Sequence, residues 1–252
     1  MPMLGYGVYG MDDRETEHCT LKALELGYRL IDTAQYYHNE AGVGRALKRT
    51  KVPREEIFVT TKVQSNQNVR RELMNSLAKL QCDYVDLVLI HWPMGNDLTT
   101  YRVLEELCRE GKIRSLGLSN FYREEYWDIC NHAEIMPAVS QQETHIYHQN
   151  KRLYPLYEKQ GVVLEAWSPL GAGQGEMLKD DLINNIAAVH GRTPAQIILR
   201  FLLQNKIVCI PKTSHEARMK ENLAVFDFSL TAEEMAAVSN LDRNESLFGW
   251  YE

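Results

Sequence analysis

The sequence lacks any paired-cysteine pattern. Its five cysteines, Cys19, Cys82, Cys108, Cys130 and Cys209, are odd in number, widely spaced and without a C-x-x-C pair. That argues against a disulfide framework or a zinc site and for a reducing, cytoplasmic setting. No apolar run reaches the roughly 18 residues that cross a bilayer. The first residues also lack the basic-then-apolar pattern of a secretory signal, so a soluble chain with no membrane partner is expected. Positive charge is in deficit: 28 Lys and Arg stand against 34 Asp and Glu, a net charge of −6. A general nucleic-acid-binding surface is therefore disfavoured, and any phosphate ligand must be held by a local cluster. No Pro/Gly/Ser-rich linker, low-complexity tract or long charge run breaks the chain, so one domain over residues 1–252 is expected.

What is present is alternation. Short β-branched apolar runs lie near Gly5–Val8, Arg29–Asp32, Phe58–Lys62, Asp86–His91, Arg114–Ser119, Ala138–Gln141, Val162–Trp167 and Ile207–Lys212. Each is followed by a helical pattern, clearest at Glu15–Glu25, Val69–Lys79 and Thr100–Arg109, where Leu, Ala and Val recur at three- and four-residue spacing. Repeated strand–helix units imply parallel strands with helical crossovers, and eight of them predict an α/β fold of the (β/α)8 TIM-barrel type. Gly27, Gly111, Gly161 and Gly191 stand where helices should close. Extra helices are expected at Asp180–His190 and Pro194–Gln204, before strand eight, and after Thr231, where Thr231-Ala232-Glu233-Glu234 reads as a capping box.

In such a barrel the carboxyl ends of the strands form the active face. Polar residues recur there: Asp32, Lys62, His91, Ser119 with Asn120, Gln141 and Lys212. Taken alone, His91 reads as a hydrogen-bonded structural histidine and Lys62 as a surface charge. An acid, a lysine and a histidine ending three successive strands would converge in space, and that points to a site.

The segments IDTAQYYHNE (31–40), VTTKV (59–63), LVLIHWP (87–93), GLSNF (117–121) and IPKTSHEARMKEN (210–222) resemble the aldo-keto reductase family, its bacterial 2,5-diketo-gluconate reductase-like members included. The resemblance covers nearly the whole chain. It implies an NADPH-dependent carbonyl reductase of the alcohol dehydrogenase (NADP+) type, a small carbonyl substrate and a monomer. Its catalytic tetrad falls on Asp32, Tyr37, Lys62 and His91, with Tyr37 rather than Tyr36 as proton donor. Lys62 would stabilise the phenolate, Asp32 would hold Lys62, and His91 would orient the carbonyl. For the cofactor, NADPH or NADP+, the resemblance implies Ser119, Asn120 and Gln141 on the nicotinamide carboxamide and the ring stacked on Trp167, with Ser168 and Leu170 beside it. Lys212, Thr213, Arg218, Glu221 and Asn222 match the adenosine-phosphate and adenine contacts. Trp167 departs from the more familiar Tyr, and Ser140 stands where Asn is common. A barrel that binds the cofactor as a regulatory or structural protein without turnover is the alternative.

Three patterns compete. Gly5-Tyr6-Gly7-Val8-Tyr9-Gly10 matches G-x-G-x-x-G, but a dinucleotide fingerprint needs a buried strand before its first glycine, and only Met1–Leu4 precede it. Tyr147 and Lys151 have the spacing of the short-chain dehydrogenases, whose fold also needs that glycine loop. Glu143, His145 and His148 form a weak metal pattern, and no metal is expected. Tyr101, Trp127, Tyr154 and Tyr157 sit on helical patterns and read as packing. The chain starts almost at strand one, without the family's usual N-terminal hairpin, so the barrel bottom is expected to be less protected. Short connections at Val63–Asn68 and Pro93–Thr99, with Gln64 where Trp is frequent, predict an open pocket with modest selectivity, and so does a brief tail, Leu247 to Glu252.

Overall fold

The computed structural model describes residues 1–249. Trp250, Tyr251 and Glu252 of the tail, and the side chain of Arg123, lie outside the described residues. Eight strands are formed: β1 (Tyr6–Gly7), β2 (Leu30–Asp32), β3 (Phe58–Val63), β4 (Val85–Ile90), β5 (Ile113–Ser119), β6 (Val139–Glu143), β7 (Val163–Trp167) and β8 (Val208–Cys209). They run in sequence order, each parallel to the next. A parallel bridge between Leu4 and Cys209, with Gly5 N donating to Cys209 O at 2.8 Å, joins the last strand to the first. The result is the α/β arrangement of the (β/α)8 fold.

The crossovers are α1 (Asp13–Leu26), α2 (Glu40–Arg49), α3 (Val69–Leu80), α4 (Asp97–Arg109), α5 (Arg123–His132) and α6 (Tyr154–Gln160). Then come α7 (Asp181–His190) and α8 (Pro194–Gln204) before β8, and α9 (Glu216–Leu223) and α10 (Ala232–Ser239) after it. Local chemistry sets their ends. Thr193 with Gln196 and Thr231 with Glu234 form reciprocal capping boxes. Gly27, Gly161 and Gly191 take the left-handed conformation that closes α1, α6 and α7.

Most strand ends fall within one residue of the sequence reading, and two differ by more. β8 stops at Cys209 instead of reaching Lys212, because Pro211 has no N–H to continue the ladder; it only accepts, from Gly7 N at 3.2 Å. β6 runs two residues further, to Glu143, which places Gln141 inside the strand instead of at its tip.

Period-two alternation divides the barrel into two cores. Leu164 and Ala166 of β7, like Val88 and Ile90 of β4, belong to the large cluster that also contains the buried helix residues. Leu87, Leu89 and Val139 form a separate inner cluster with Phe58, Ala138 and Val163 packed against it. Further along the same strand faces lie Lys62, Gln141 and Glu165, all buried. The barrel interior thus has an apolar tier and, toward the carboxyl ends of the strands, a polar one.

Candidate active site

The polar tier is organised around Lys62. Its side chain is fully buried, and its ammonium has three N–H groups to place. Three acceptors meet them: Asp32 Oδ1 at 2.5 Å, Tyr37 OH at 3.0 Å and Thr33 O at 3.2 Å. Asp32 ends β2 and Lys62 lies next to the end of β3, so the strand register itself brings them together. Tyr37 arrives on a short 3₁₀ turn, Gln35–Tyr37, closed by His38 in the left-handed conformation. Tyr36 on the same turn is 58% exposed, with its ring 6.2 Å from that of His91. Of the adjacent tyrosines, it is Tyr37 that reaches the lysine.

His91 follows β4 directly, its N–H bonded to Val63 O at 2.9 Å, and its ring lies 5.6 Å from that of Tyr37 at 76°. Burial first, and then the Lys62 charge, push His91 down to about 3. Its imidazole is therefore neutral at physiological pH and keeps one N–H to donate. Burial also raises Tyr37 above the ordinary phenol value; Lys62 pulls the other way, and Asp32 adds to the rise. Burial disfavours the Lys62 ammonium, yet Asp32 and Tyr37 outweigh it and lift its pKa. The resting cluster is a protonated tyrosine beside a protonated lysine.

A cavity of about 1090 Å³ opens over this cluster, slightly larger than the usual ligand pocket of about 300–1,000 Å³. Asp32, Tyr37 and His91 line it, whereas Lys62 lies beneath the surface. So do Ser119, Asn120, Gln141, Trp167, Ser168, Leu170, Lys212, Thr213, Arg218, Glu221 and Asn222. The cavity thus extends from Asp32, Tyr37 and His91 to α9. Asn120 and Ser168, just past β5 and β7, have φ of +63° and +48°, uncommon values that cluster at ligand sites.

Several of these side chains have protein partners that sequence did not reveal. Asn120 Nδ2 donates to His91 O and Ser119 Oγ, while its Oδ1 accepts from Trp167 Nε1 at 2.9 Å. It brackets His91 to the Trp167 indole. Gln141 Nε2 donates to Asp32 Oδ2 at 2.9 Å and Glu165 Oε2 at 2.7 Å, so its amide nitrogen is turned into the barrel. Glu221 accepts from Thr193 Oγ1 at 2.7 Å, linking the α8 cap to the far end of the cavity.

Sequence reasoning missed Glu165, Tyr9, Trp92 and Phe248. The signal for Glu165 was a lone acid inside an otherwise apolar strand. The tail does reach the pocket: Phe248 lies 5.1 Å from Trp167, and Leu247 packs beside Gly175, where an added Cβ would come within 2.8 Å of it. Its anchor is the weak metal pattern. Glu143, buried, accepts from Ser246 Oγ at 2.6 Å and Leu247 N at 2.8 Å and faces His145 Nε2 at 2.9 Å. No cluster of three metal-ligating side chains is found among the described residues. Tyr101 and Tyr157 are buried packing residues, while Trp127 is 37% exposed.

Known proteins resemble the chain in sequence and in fold. The sequence profile of the Aldo/keto reductase family matches residues 3–243. The chain is 41% identical to methylglyoxal reductase DkgA of Yersinia pestis, over 98% of this chain and 91% of that one. It is 42% identical to glyoxal reductase of Bacillus subtilis, over 97% and 90%. Among solved structures, a Gox0644 mutant in complex with NADPH superposes with a TM-score of 0.90 at 39% identity, covering 96% of this chain and 90% of the other.

Proposed function

The chain belongs to the aldo/keto reductase family, and on that footing we propose that it reduces small aldehydes or ketones to alcohols with NADPH, Tyr37 being the proton donor. The observation that carries this reading is the arrangement of donors around Lys62. Because Tyr37 oxygen accepts one of the three Lys62 N–H bonds, its own hydrogen must point elsewhere. No second partner for that hydroxyl exists among the described residues, and the side that remains is the cavity. The phenol is loaded, since burial raises its pKa, and the phenolate it becomes is met at 3.0 Å by a fixed cation. Neutral His91, 5.6 Å away ring to ring, supplies the N–H that orients the carbonyl oxygen.

The residues present fit a nicotinamide dinucleotide. Trp167 offers a π-face at the mouth, Ser119, Asn120 and Gln141 surround the place of a carboxamide, and Lys212 and Arg218 are cations at the far end of the same cavity. When bound, the reduced cofactor supplies the hydride. Lys212 and Arg218 would hold a ribose phosphate with Thr213, and Glu221 and Asn222 would flank the adenine. Charge-assisted hydrogen bonds are worth about 1.5–3 kcal/mol each, less where exposed as here. NADPH should therefore bind at least about tenfold more tightly than NADH, measured by quenching of tryptophan fluorescence. Equal affinities would refute the phosphate assignment.

The deciding experiment follows NADPH absorbance against a panel of aldehydes and ketones. Methylglyoxal and glyoxal belong in it, because two relatives carry those names. Turnover of at least one member is the expected result. Tight NADPH binding without oxidation by any of them would favour a regulatory or structural barrel instead.

A further inference from the structure

Behind the tetrad lies a carboxyl that the mechanism above does not use. Glu165 projects from the middle of β7 into the polar tier and is wholly buried. Its Oε2 accepts from Gln141 Nε2 at 2.7 Å, and its Oε1 has no hydrogen-bond partner. The same Nε2 donates to Asp32 Oδ2 at 2.9 Å, and Asp32 Oδ1 receives Lys62 at 2.5 Å. Hydrogen bonds therefore run unbroken from Glu165 through Gln141, Asp32 and Lys62 to the oxygen of Tyr37.

The groups facing Glu165 are Asp32 from β2, Lys62 from β3, the Gln141 amide from β6 and the Cys209 thiol from β8. With Glu165 ionised, the buried set holds two anions against one cation. With Glu165 protonated, it holds one of each, and an unpartnered oxygen is far cheaper to bury neutral than charged. Burial and then the Asp32 charge push Glu165 up to about 8, against the pull of Gln141 and Lys62.

We propose that Glu165 is a positioning residue for the reduction: as a neutral acid it fixes Gln141 against Asp32 and leaves the charge of Lys62 to Tyr37, and its ionisation weakens the proton donor on the alkaline side. The proposal rests on the catalytic reading of Tyr37 given above. Its sign follows from charge. A carboxylate at Glu165 adds negative charge beside Lys62, disfavours the Tyr37 phenolate and so makes the phenol a poorer acid. The effect is absent while the proton is held and grows as pH rises through the folded value.

The test is kcat of the holoenzyme with NADPH and a saturating aldehyde between about pH 6 and 9.5. Wild type should fall to a lower plateau by about three- to tenfold, as when one added buried charge shifts a neighbour by half to one pKa unit, with KM within about twofold. Glu165→Gln cannot ionise and should stay level across that window whatever its absolute rate. Glu165→Asp should restore a step, displaced in pH. A Glu165→Gln profile with the wild-type step would overturn the proposal.

If Glu165→Gln fails to fold, carboxyl ¹³C NMR of glutamate-labelled wild type decides. One carboxyl titrating alkaline of neutrality supports the proposal, and all of them titrating in the ordinary acidic range overturns it. No turnover by wild type would sink the proposed function and this role with it. The carboxyl titration would tell that failure apart from an ionised Glu165.

Discussion

Replacing Tyr37 by phenylalanine should reduce carbonyl turnover by about 10³-fold while leaving NADPH affinity within about twofold, since positioned proton transfer contributes about 10²–10⁴-fold. The substitution is conservative in packing. The ring keeps its contacts with Tyr9 at 4.9 Å, with His91 at 5.6 Å and beneath the Lys62 ammonium at 4.7 Å. What is lost is the O–H that faces the cavity and, with it, the oxygen that accepts from Lys62 at 3.0 Å. Steady-state kinetics with the best aldehyde, together with fluorescence titration of NADPH, checks both halves. Near-normal turnover would mean that some other group delivers the proton, and Tyr36, 58% exposed on the same turn, would be the next to test.

Lys62→Met should damage both activity and stability. Removing one partner of a buried ion pair typically costs about 3–5 kcal/mol, because here the Asp32 carboxylate would remain inside the barrel facing only the Gln141 amide. The same substitution deprives a Tyr37 phenolate of its cation and should lower kcat by about 10²-fold or more. Urea unfolding and kinetics on Lys62→Met, Asp32→Asn and the double variant separate the two effects. Much of the lost stability should return in the double variant, where no charge is stranded, while activity stays low. A single Lys62→Met variant as stable as wild type would show that the pair is not fixed as the 2.5 Å contact indicates.

Much of the site was legible in sequence because strand ends are marked by chemistry. Asp32, Lys62 and His91 interrupt apolar runs at the places where parallel strands finish, and the (β/α)8 architecture sends such ends to one mouth. Choosing Tyr37 over Tyr36 required the family resemblance. The turn Gln35–Tyr37 supplies the physical reason, since consecutive residues on it face different ways. Other features depend on register and on contacts across the chain, which no local pattern encodes. That Gln141 stands opposite Glu165 is fixed by the pairing of β6 with β7. The seat of Phe248 against Trp167 joins residues 81 positions apart. The early end of β8 could have been read from Pro211, but the apolar pattern around it masked the missing donor.

Beside and below Lys62 the barrel is filled by Leu87, Leu89 and Val139, with Phe58 and Val163 against them. In the proposed cycle a spent Tyr37 would be reloaded from the mouth that substrate and product share, since Tyr37 lines that cavity. Product departure and reloading of the phenol would then use one and the same opening.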